Sequence, residues 1–372
     1  MRILIVQKSL THYRLSFYHS LVQELKKGNN EVFVIYGKDL ERNNRKDQID
    51  YYGGIYKRNF VIKIMGITLY WQPILGLIKK GDLVIVEQAN KLLVNYILMI
   101  LNKFRFIKLA FWGHAYDHSN EIKSYRNKFK DLFINSPFWW FAYTKGVAEY
   151  IKKKNFPSEN ITILNNSIDT QELMSAKKSI RNSELDELRI KYNIDDGPVG
   201  IFCGGLYKDK KIGFLLKSAL MIRKKIHNFE ILIIGDGDLR PEVELFCSQN
   251  KWAHYFGSVI GHKRAPLFML SKVLLMPGKV GLVVIDSFVF NTPIITTNIS
   301  THSPEFEYIN NFDNGVVVEE NINKYSETVI EVIENKKLYS KLVHGCMISA
   351  NQYTLANMVS NFVRGISQIG KK

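Results

Sequence analysis

Cysteine is scarce: Cys203, Cys247 and Cys346 stand far apart with no CxxC pair. That spacing excludes a disulfide framework and a cysteine zinc site, and it fits a reducing cytoplasm. Long hydrophobic runs are missing too. The most lipid-like stretch, residues 92–101, is broken by Asn95 and closed by Asn102-Lys103, and it is too short to span a bilayer. The first residues, MRILIVQKSL, read as a strand and lack the apolar length of a signal peptide. A soluble or peripheral protein is expected. GxSxG is absent, which removes the usual frame for a Ser/His/Asp nucleophile. GxxxxGK followed by Ser or Thr is absent, so there is no P-loop, and no GxGxxG follows the first strand, which weakens a dehydrogenase reading.

Acid is also short in the first half. Residues 1–180 carry 28 Lys+Arg against 15 Asp+Glu, and the remainder 23 against 20. Most of the net +16 therefore lies in the first half, which suggests an anionic partner there. No helix-turn-helix, zinc-finger or RNA-binding signature accompanies the charge. An anionic membrane surface is favoured over nucleic acid, and a solvated Lys-rich surface is the plain alternative. The segment 122–134 fits the membrane reading. Ile122, Tyr125, Phe129, Leu132 and Phe133 share one helical face, with Lys123, Arg126, Lys128 and Lys130 on the others. Packing in the core with a solvated basic face explains it equally well.

What the chain does contain is a repeated alternation of strand and helix. With 372 residues, 46% hydrophobic and 23% charged, it fits two globular domains better than one. Strand patterns fall at 3–6, 31–36, 83–87, 107–112, 141–143 and 161–164, with helical spacing between them, as in Tyr13, Phe17, Tyr18, Leu21, Val22 and Leu25. Strand, helix, strand implies a parallel sheet. The pattern restarts at 198–203 and continues at 229–234, 254–256, 273–276, 294–297 and 316–318. The expected organisation is a first Rossmann-like domain over 1–172, a polar linker over 173–197 and a second Rossmann-like domain over 198–350. A C-terminal helix over 351–372, fraying at Gly365, can pack back on the first domain. Ligands of open parallel sheets bind beyond the carboxyl ends of the strands, so two such domains are expected to face a central cleft.

Several loops at those strand ends carry candidate chemistry. In CGGLYKDKK, residues 203–211, Gly204 and Gly205 let a ligand approach the backbone, and Lys210 or Lys211 can reach a diphosphate as a point charge. A tight turn before a Lys-rich helix is the alternative. In WGHAYDH, His114 stands just past a strand end, where imidazole can bond a sugar hydroxyl or move a proton. A structural histidine is the alternative, and Asp117 and His118 are helpers or only a turn. Asp236 and Asp238 of IGDGDL have a spacing that can hold a divalent metal, or they form the turn before a helix. The stretch from Met276 to Glu305 reads as a Gly-containing loop, a short helix and a buried strand. The loop amides and helix dipole suit phosphate. Asp286, one turn into the helix, can accept bonds from ligand hydroxyls, unless it is merely an acid favoured by the dipole.

Together these segments resemble the family-4 retaining glycosyltransferases of the GT-B fold, in particular the bacterial enzymes that build lipopolysaccharide, capsule or other surface glycans. The resemblance rests on His12-Tyr13-Arg14, WGH at 112–114, YTKG at 143–146, NNSIDT at 165–170, GGLYKDKK at 204–211 and IIGDG at 233–237. The PGKVGL…D block at 277–286, NTPIITT and HSPE complete it. It implies an enzyme that moves a sugar from a nucleotide sugar to a lipid-linked or oligosaccharide acceptor, with retention and without a metal or other cofactor. The resemblance gives Lys210 and the amides of Gly281 and Leu282 the diphosphate, and Asp286 the ribose. Gly204 and Gly205 lie in the donor loop, and His114 sits near the reacting sugar. His12, Tyr13 and Arg14 fall on the acceptor side. The family pattern has two acids eight positions apart; Asp286 stands at the second and Gly278 at the first. Gly205 stands where the family carries an arginine. Such an enzyme is expected in the cytoplasm, peripheral on the inner face of the membrane, with no nucleic-acid partner. The alternatives are a nucleotide-sugar epimerase of the same fold, or a non-catalytic nucleotide-sugar-binding assembly protein.

Overall fold

The structure is a computed structural model that describes residues 1–39, 48–64, 66–116 and 125–372. Asp117, His118 and the beginning of the expected basic helix lie outside the described residues. The chain forms two compact units, Met1–Ile168 with Leu355–Lys372, and Asp169–Thr354.

The first unit contains β1 (Arg2–Gln7), α1 (Leu15–Lys27), β2 (Glu31–Tyr36), β3 (Ile55–Tyr56), β4 (Phe60–Ile64), β5 (Ile67–Trp71) and β6 (Leu83–Glu87). Then come α2 (Leu93–Lys103), β7 (Lys108–Gly113), α3 (Tyr125–Asp131), β8 (Trp139–Ala142), α4 (Lys145–Lys152) and β9 (Ile161–Ile163). The sheet order is β3-β2-β1-β6-β7-β8-β9, and every neighbouring pair is parallel. The interiors of its central strands β1, β6, β7 and β8 are apolar runs, because both faces are covered. Ile3 and Ile5 enter one apolar layer while Leu4 and Val6 enter the other, as a two-residue side-chain period requires. Trp139 and Phe141 likewise oppose Trp140 and Ala142. The helix α13 (Leu355–Lys371) completes the first layer: Phe362 stacks on Phe141 at 4.2 Å between ring centroids and also meets Phe17 and Trp112.

Fraying at Gly365 does not occur. The helix runs through it, and Gly365 is buried where a Cβ would come within 2.5 Å of Thr162 Oγ1. Glycine there serves close packing of a helix on a sheet.

The sequence pattern also missed β3 and the antiparallel hairpin β4–β5, in which Phe60 pairs with Trp71, Ile62 with Leu69 and Ile64 with Ile67. These short strands interrupt the βαβ rhythm, so helix–strand alternation carries no signal for them.

The second unit begins with α5 (Thr170–Ser179) and α6 (Asn182–Tyr192), which take up most of the segment 173–197 expected to link the domains, α5 starting three residues before it. The sheet strands are β10 (Val199–Cys203), β11 (Glu230–Ile234), β12 (Ala253–Tyr255), β13 (Val273–Met276), β14 (Ile294–Thr297) and β15 (Gly315–Val318). Between and after them lie α7 (Ile212–Lys225), α8 (Arg240–Gln249), α9 (Ala265–Leu270), α10 (Val283–Phe290), α11 (Ile322–Glu334) and α12 (Lys336–Gln352). The order β12-β11-β10-β13-β14-β15 is again wholly parallel. Both units are therefore Rossmann-like, with their strand order reversing beside β1 and beside β10.

Candidate functional site

In the second unit the order reverses between β10 and β13, so the loops leaving these two strands meet at the carboxyl edge. Such a switch point is where open α/β sheets bind ligands. The first loop is braced from below. Leu206 N–H donates to Asp236 O at 3.0 Å, and a Cβ on Gly235 would lie 1.8 Å from Gly204 O. Asp236 Oδ1 accepts the Gly237 amide, so the IGDGD turn supports the Gly204-Gly205 loop. A Cβ at Gly205 would lie 2.5 Å from the Tyr207 ring.

Lys210 and Lys211 then diverge. Lys211 adopts a left-handed conformation (φ 55°) that starts α7, and its Nζ pairs with Glu320. Lys210 turns into the switch point and donates from Nζ to Lys279 O at 2.5 Å. Burial pulls the Lys210 ammonium down to about 8, although nearby Asp209 and Glu305 oppose that fall.

The second loop, residues 277–282, is clamped on both sides. Lys279 N–H donates to Asp209 O, and a Cβ on Gly278 would lie 2.4 Å from the Lys210 carbonyl carbon. The missing acid at position 278 thus has a steric cause. On the other side, Val280 N–H donates to His302 Nδ1 at 3.0 Å, and His302 Nε2 meets Thr297 O at 2.7 Å. This fixes His302 as the Nε2–H tautomer. Burial lowers its imidazolium to about 4. Thr297 Oγ1 donates to Pro277 O. Among the described residues, neither the Gly281 nor the Leu282 amide donates to a backbone carbonyl. Both lie at the entrance of α10, where amides are free to meet an anion.

Asp286 is buried one turn into α10 and accepts from Arg264 Nε at 2.6 Å. Burial raises its carboxyl, against the pull of Arg264. Arg264 ends the short 3-10 turn Gly261–Arg264, and sequence pattern gave it no role. Cys203, at the end of β10, lies near the pair, and burial pushes its thiol up to about 12. It is a neutral wall of the site.

In the first unit, the segments at the carboxyl edge converge on Arg14. Its Nη2 donates to Asn166 Oδ1 at 2.7 Å, and its guanidinium lies over the rings of Tyr13, Trp112 and Tyr143 at 5.4–5.6 Å. Four of the singled-out sequence segments meet there. Arg14 is itself buried, whereas Tyr13 is exposed and His12 half-buried. His114 is exposed just past β7, edge-on to Tyr143 with ring centroids 4.3 Å apart. The next residue, Ala115, is fully buried in a left-handed conformation (φ 61°). That costly backbone turn drives Ala115 inward and leaves His114 outside.

A protein-family model described as glycosyl transferases group 1 matches residues 197–335. Among curated proteins, the chain is 25% identical over 154 residues to an uncharacterised glycosyltransferase of Methanocaldococcus jannaschii, covering 39% of this chain and 38% of that one. It is 20% identical over 158 residues to an alpha-D-kanosaminyltransferase of Streptomyces kanamyceticus, covering 41% and 40%. The matches thus span about two fifths of these relatives' length. Among solved structures, Anabaena HepE in complex with UDP superposes with a TM-score of 0.73 at 11% identity, covering 99% of this chain and 100% of that one. The fold is that of GT-B glycosyltransferases, two Rossmann-like domains with parallel sheets.

Proposed function

We propose that the protein is a retaining glycosyltransferase that moves a sugar from a nucleotide sugar to a glycan or lipid-linked acceptor. The carrying observation is the switch point of the second unit. Half-buried Lys210 lies beside a loop whose Gly281 and Leu282 amides open α10, with Asp286 one turn behind. These groups suit a nucleoside diphosphate and its ribose. Lys210 and the two amides stabilise charge growing on the departing diphosphate, the kind of electrostatic assistance such a leaving group requires. Arg264 holds Asp286 in place and yields one carboxylate face to the ribose hydroxyls. Gly204 and Gly205 bring the backbone of the donor loop to the edge of this site, with the Tyr207 ring packed against Gly205.

His114 orients the sugar, and the acceptor hydroxyl attacks from the face that the diphosphate leaves. Tyr13 and His12 meet the acceptor, with Arg14 acting through them as a positioning residue. No metal or other cofactor is assigned. The family match supports this reading, as does the binding of UDP and UDP-glucose by the similar Anabaena protein. The protein is assigned to surface-polysaccharide synthesis, lipopolysaccharide or capsule, at the inner face of the cytoplasmic membrane. No described helix is long and apolar enough to cross a membrane.

The test is a screen of nucleotide sugars, UDP-sugars first, for thermal stabilisation and slow hydrolysis. A true donor at about 100 times its Kd stabilises by about 2.7 kcal/mol. Asp286→Ala and Lys210→Ala are expected to abolish that response. A screen without a single stabilising nucleotide, or two variants that keep wild-type turnover, defeats the proposal.

A further inference from the structure

The hairpin β4–β5 has two unlike faces. One face carries Thr68 and Tyr70, both buried, with Lys63, the cross-strand partner of Thr68, exposed at its outer end. Tyr70 Oη donates to Asp39 Oδ1 at 2.9 Å, and Lys8 pairs with the same carboxylate. At the root, Asn59 Nδ2 reaches Lys8 O and Lys38 O, and Gln72 Nε2 donates to Gln7 O. The hairpin is thus bolted over the carboxyl ends of β1 and β2, the edge that also carries His12 and Tyr13.

The other face is apolar over three cross-strand pairs, Phe60 with Trp71, Ile62 with Leu69, and Ile64 with Ile67; it is open toward the Ile64–Ile67 end, while Trp71 packs on the first unit's core. Phe60 is 50% exposed, Ile64 53% and Ile67 57%. Ordinary strands put polar residues on a solvent face, and an apolar face of this kind marks an interaction surface.

The charge around it indicates the partner. The first unit carries 29 Lys+Arg against 13 Asp+Glu, while the second carries 22 against 22. The whole net charge of +16 therefore belongs to the unit that bears the hairpin. Residues 51–81 hold Lys57, Arg58, Lys63, Lys79 and Lys80 and no acid. Arg58 and Lys63 are exposed on or beside the hairpin. Two such units repel each other, which disfavours a second copy as the occupant. Single-stranded nucleic acid is bound by aromatic stacking platforms, and the most exposed pair here is aliphatic.

We propose that this hairpin docks the first unit on an anionic phospholipid bilayer, with Ile64 and Ile67 entering the acyl boundary and the surrounding cations meeting headgroups. Docking itself stands apart from the glycosyltransferase reading. Its consequence, that the edge bearing His12 and Tyr13 takes a lipid-linked acceptor from the bilayer, rests on that reading.

The test is co-sedimentation of the full chain with vesicles of phosphatidylcholine alone or mixed with phosphatidylglycerol, at low and high salt. Wild type is expected to bind only the anionic vesicles, and less at high salt. Ile64→Asp/Ile67→Asp is expected to weaken binding about tenfold or more. Arg58→Gln/Lys63→Gln is expected to weaken it at low salt only. Because these side chains are exposed, thermal unfolding should be unchanged, which separates lost docking from lost folding. Donor hydrolysis in vesicle-free buffer should also be unchanged; if docking holds but no donor is ever hydrolysed, only the acceptor consequence falls. Docking is overturned if the Ile double variant binds like wild type, or if wild type ignores anionic vesicles. It is equally overturned if the variant elutes as a smaller species than wild type, since the face then joins two copies.

Discussion

Lys210 shows how one residue's surroundings set its chemistry. Burial brings its ammonium down to about 8. The unliganded protein therefore loses this cation as pH rises through about 8, and under the proposed function kcat/KM for the donor should fall there. Bound diphosphate favours the charged form, so the corresponding limb in kcat should lie higher. Lys210→Met should lower kcat by about 100-fold or more and remove the limb from the pH–rate profile; a profile that keeps the limb assigns it elsewhere. Asp286 and Arg264 make a second residue-scale case. Removing one partner of a buried pair strands the other charge, so Asp286→Ala should cost about 3 kcal/mol of stability. Adding Arg264→Met should restore much of that stability in denaturant unfolding while donor binding stays lost. Asp286 was legible in the sequence because it follows the loop at helical spacing. Arg264 was not, because it sits in a short 3-10 turn that shows no periodicity, 22 positions before its partner.

At the scale of elements, the loop 277–282 is the clearest example. Its amides suggested a phosphate site, and Gly278 stands where the resembled pattern has an acid. The glycine is a packing requirement: the chain of Asp209 and Lys210 fills the space a side chain would need. Gly278→Glu, which places an acid where the resembled pattern has one, should disrupt the loop and abolish donor binding rather than improve it. Isothermal titration with the nucleotide identified in the screen checks this, and unimpaired binding would refute the packing account. Strands β10, β11, β13 and β14 were legible because buried parallel strands are continuous apolar runs between turn signals. The hairpin β4–β5 was not, because the apolar residues at its Ile64–Ile67 end are exposed and its cross-strand partners are known only once the chain has folded.

At the scale of the whole molecule, the C-terminal helix belongs to the first unit's core. Met358, Phe362, Ile366 and Ile369 are buried there. Burying each is worth about 1.5–3 kcal/mol, so together they rival the ordinary stability of a domain. A chain ending at Thr354 should lose cooperative unfolding of the first unit, seen as collapsed hydrogen-exchange protection in β1 and β8. Protection equal to wild type would show that the helix is dispensable. The sequence by itself determined the two parallel-sheet units, the loops at their strand ends and the excess of cations, because periodicity and composition are local properties. Only the tertiary structure decided which groups meet: Lys210 with the 277–282 loop, Arg264 with Asp286, and Arg14 with Trp112, Tyr143 and Asn166. These partners are far apart along the chain, and strand order, which no local pattern encodes, brings them together.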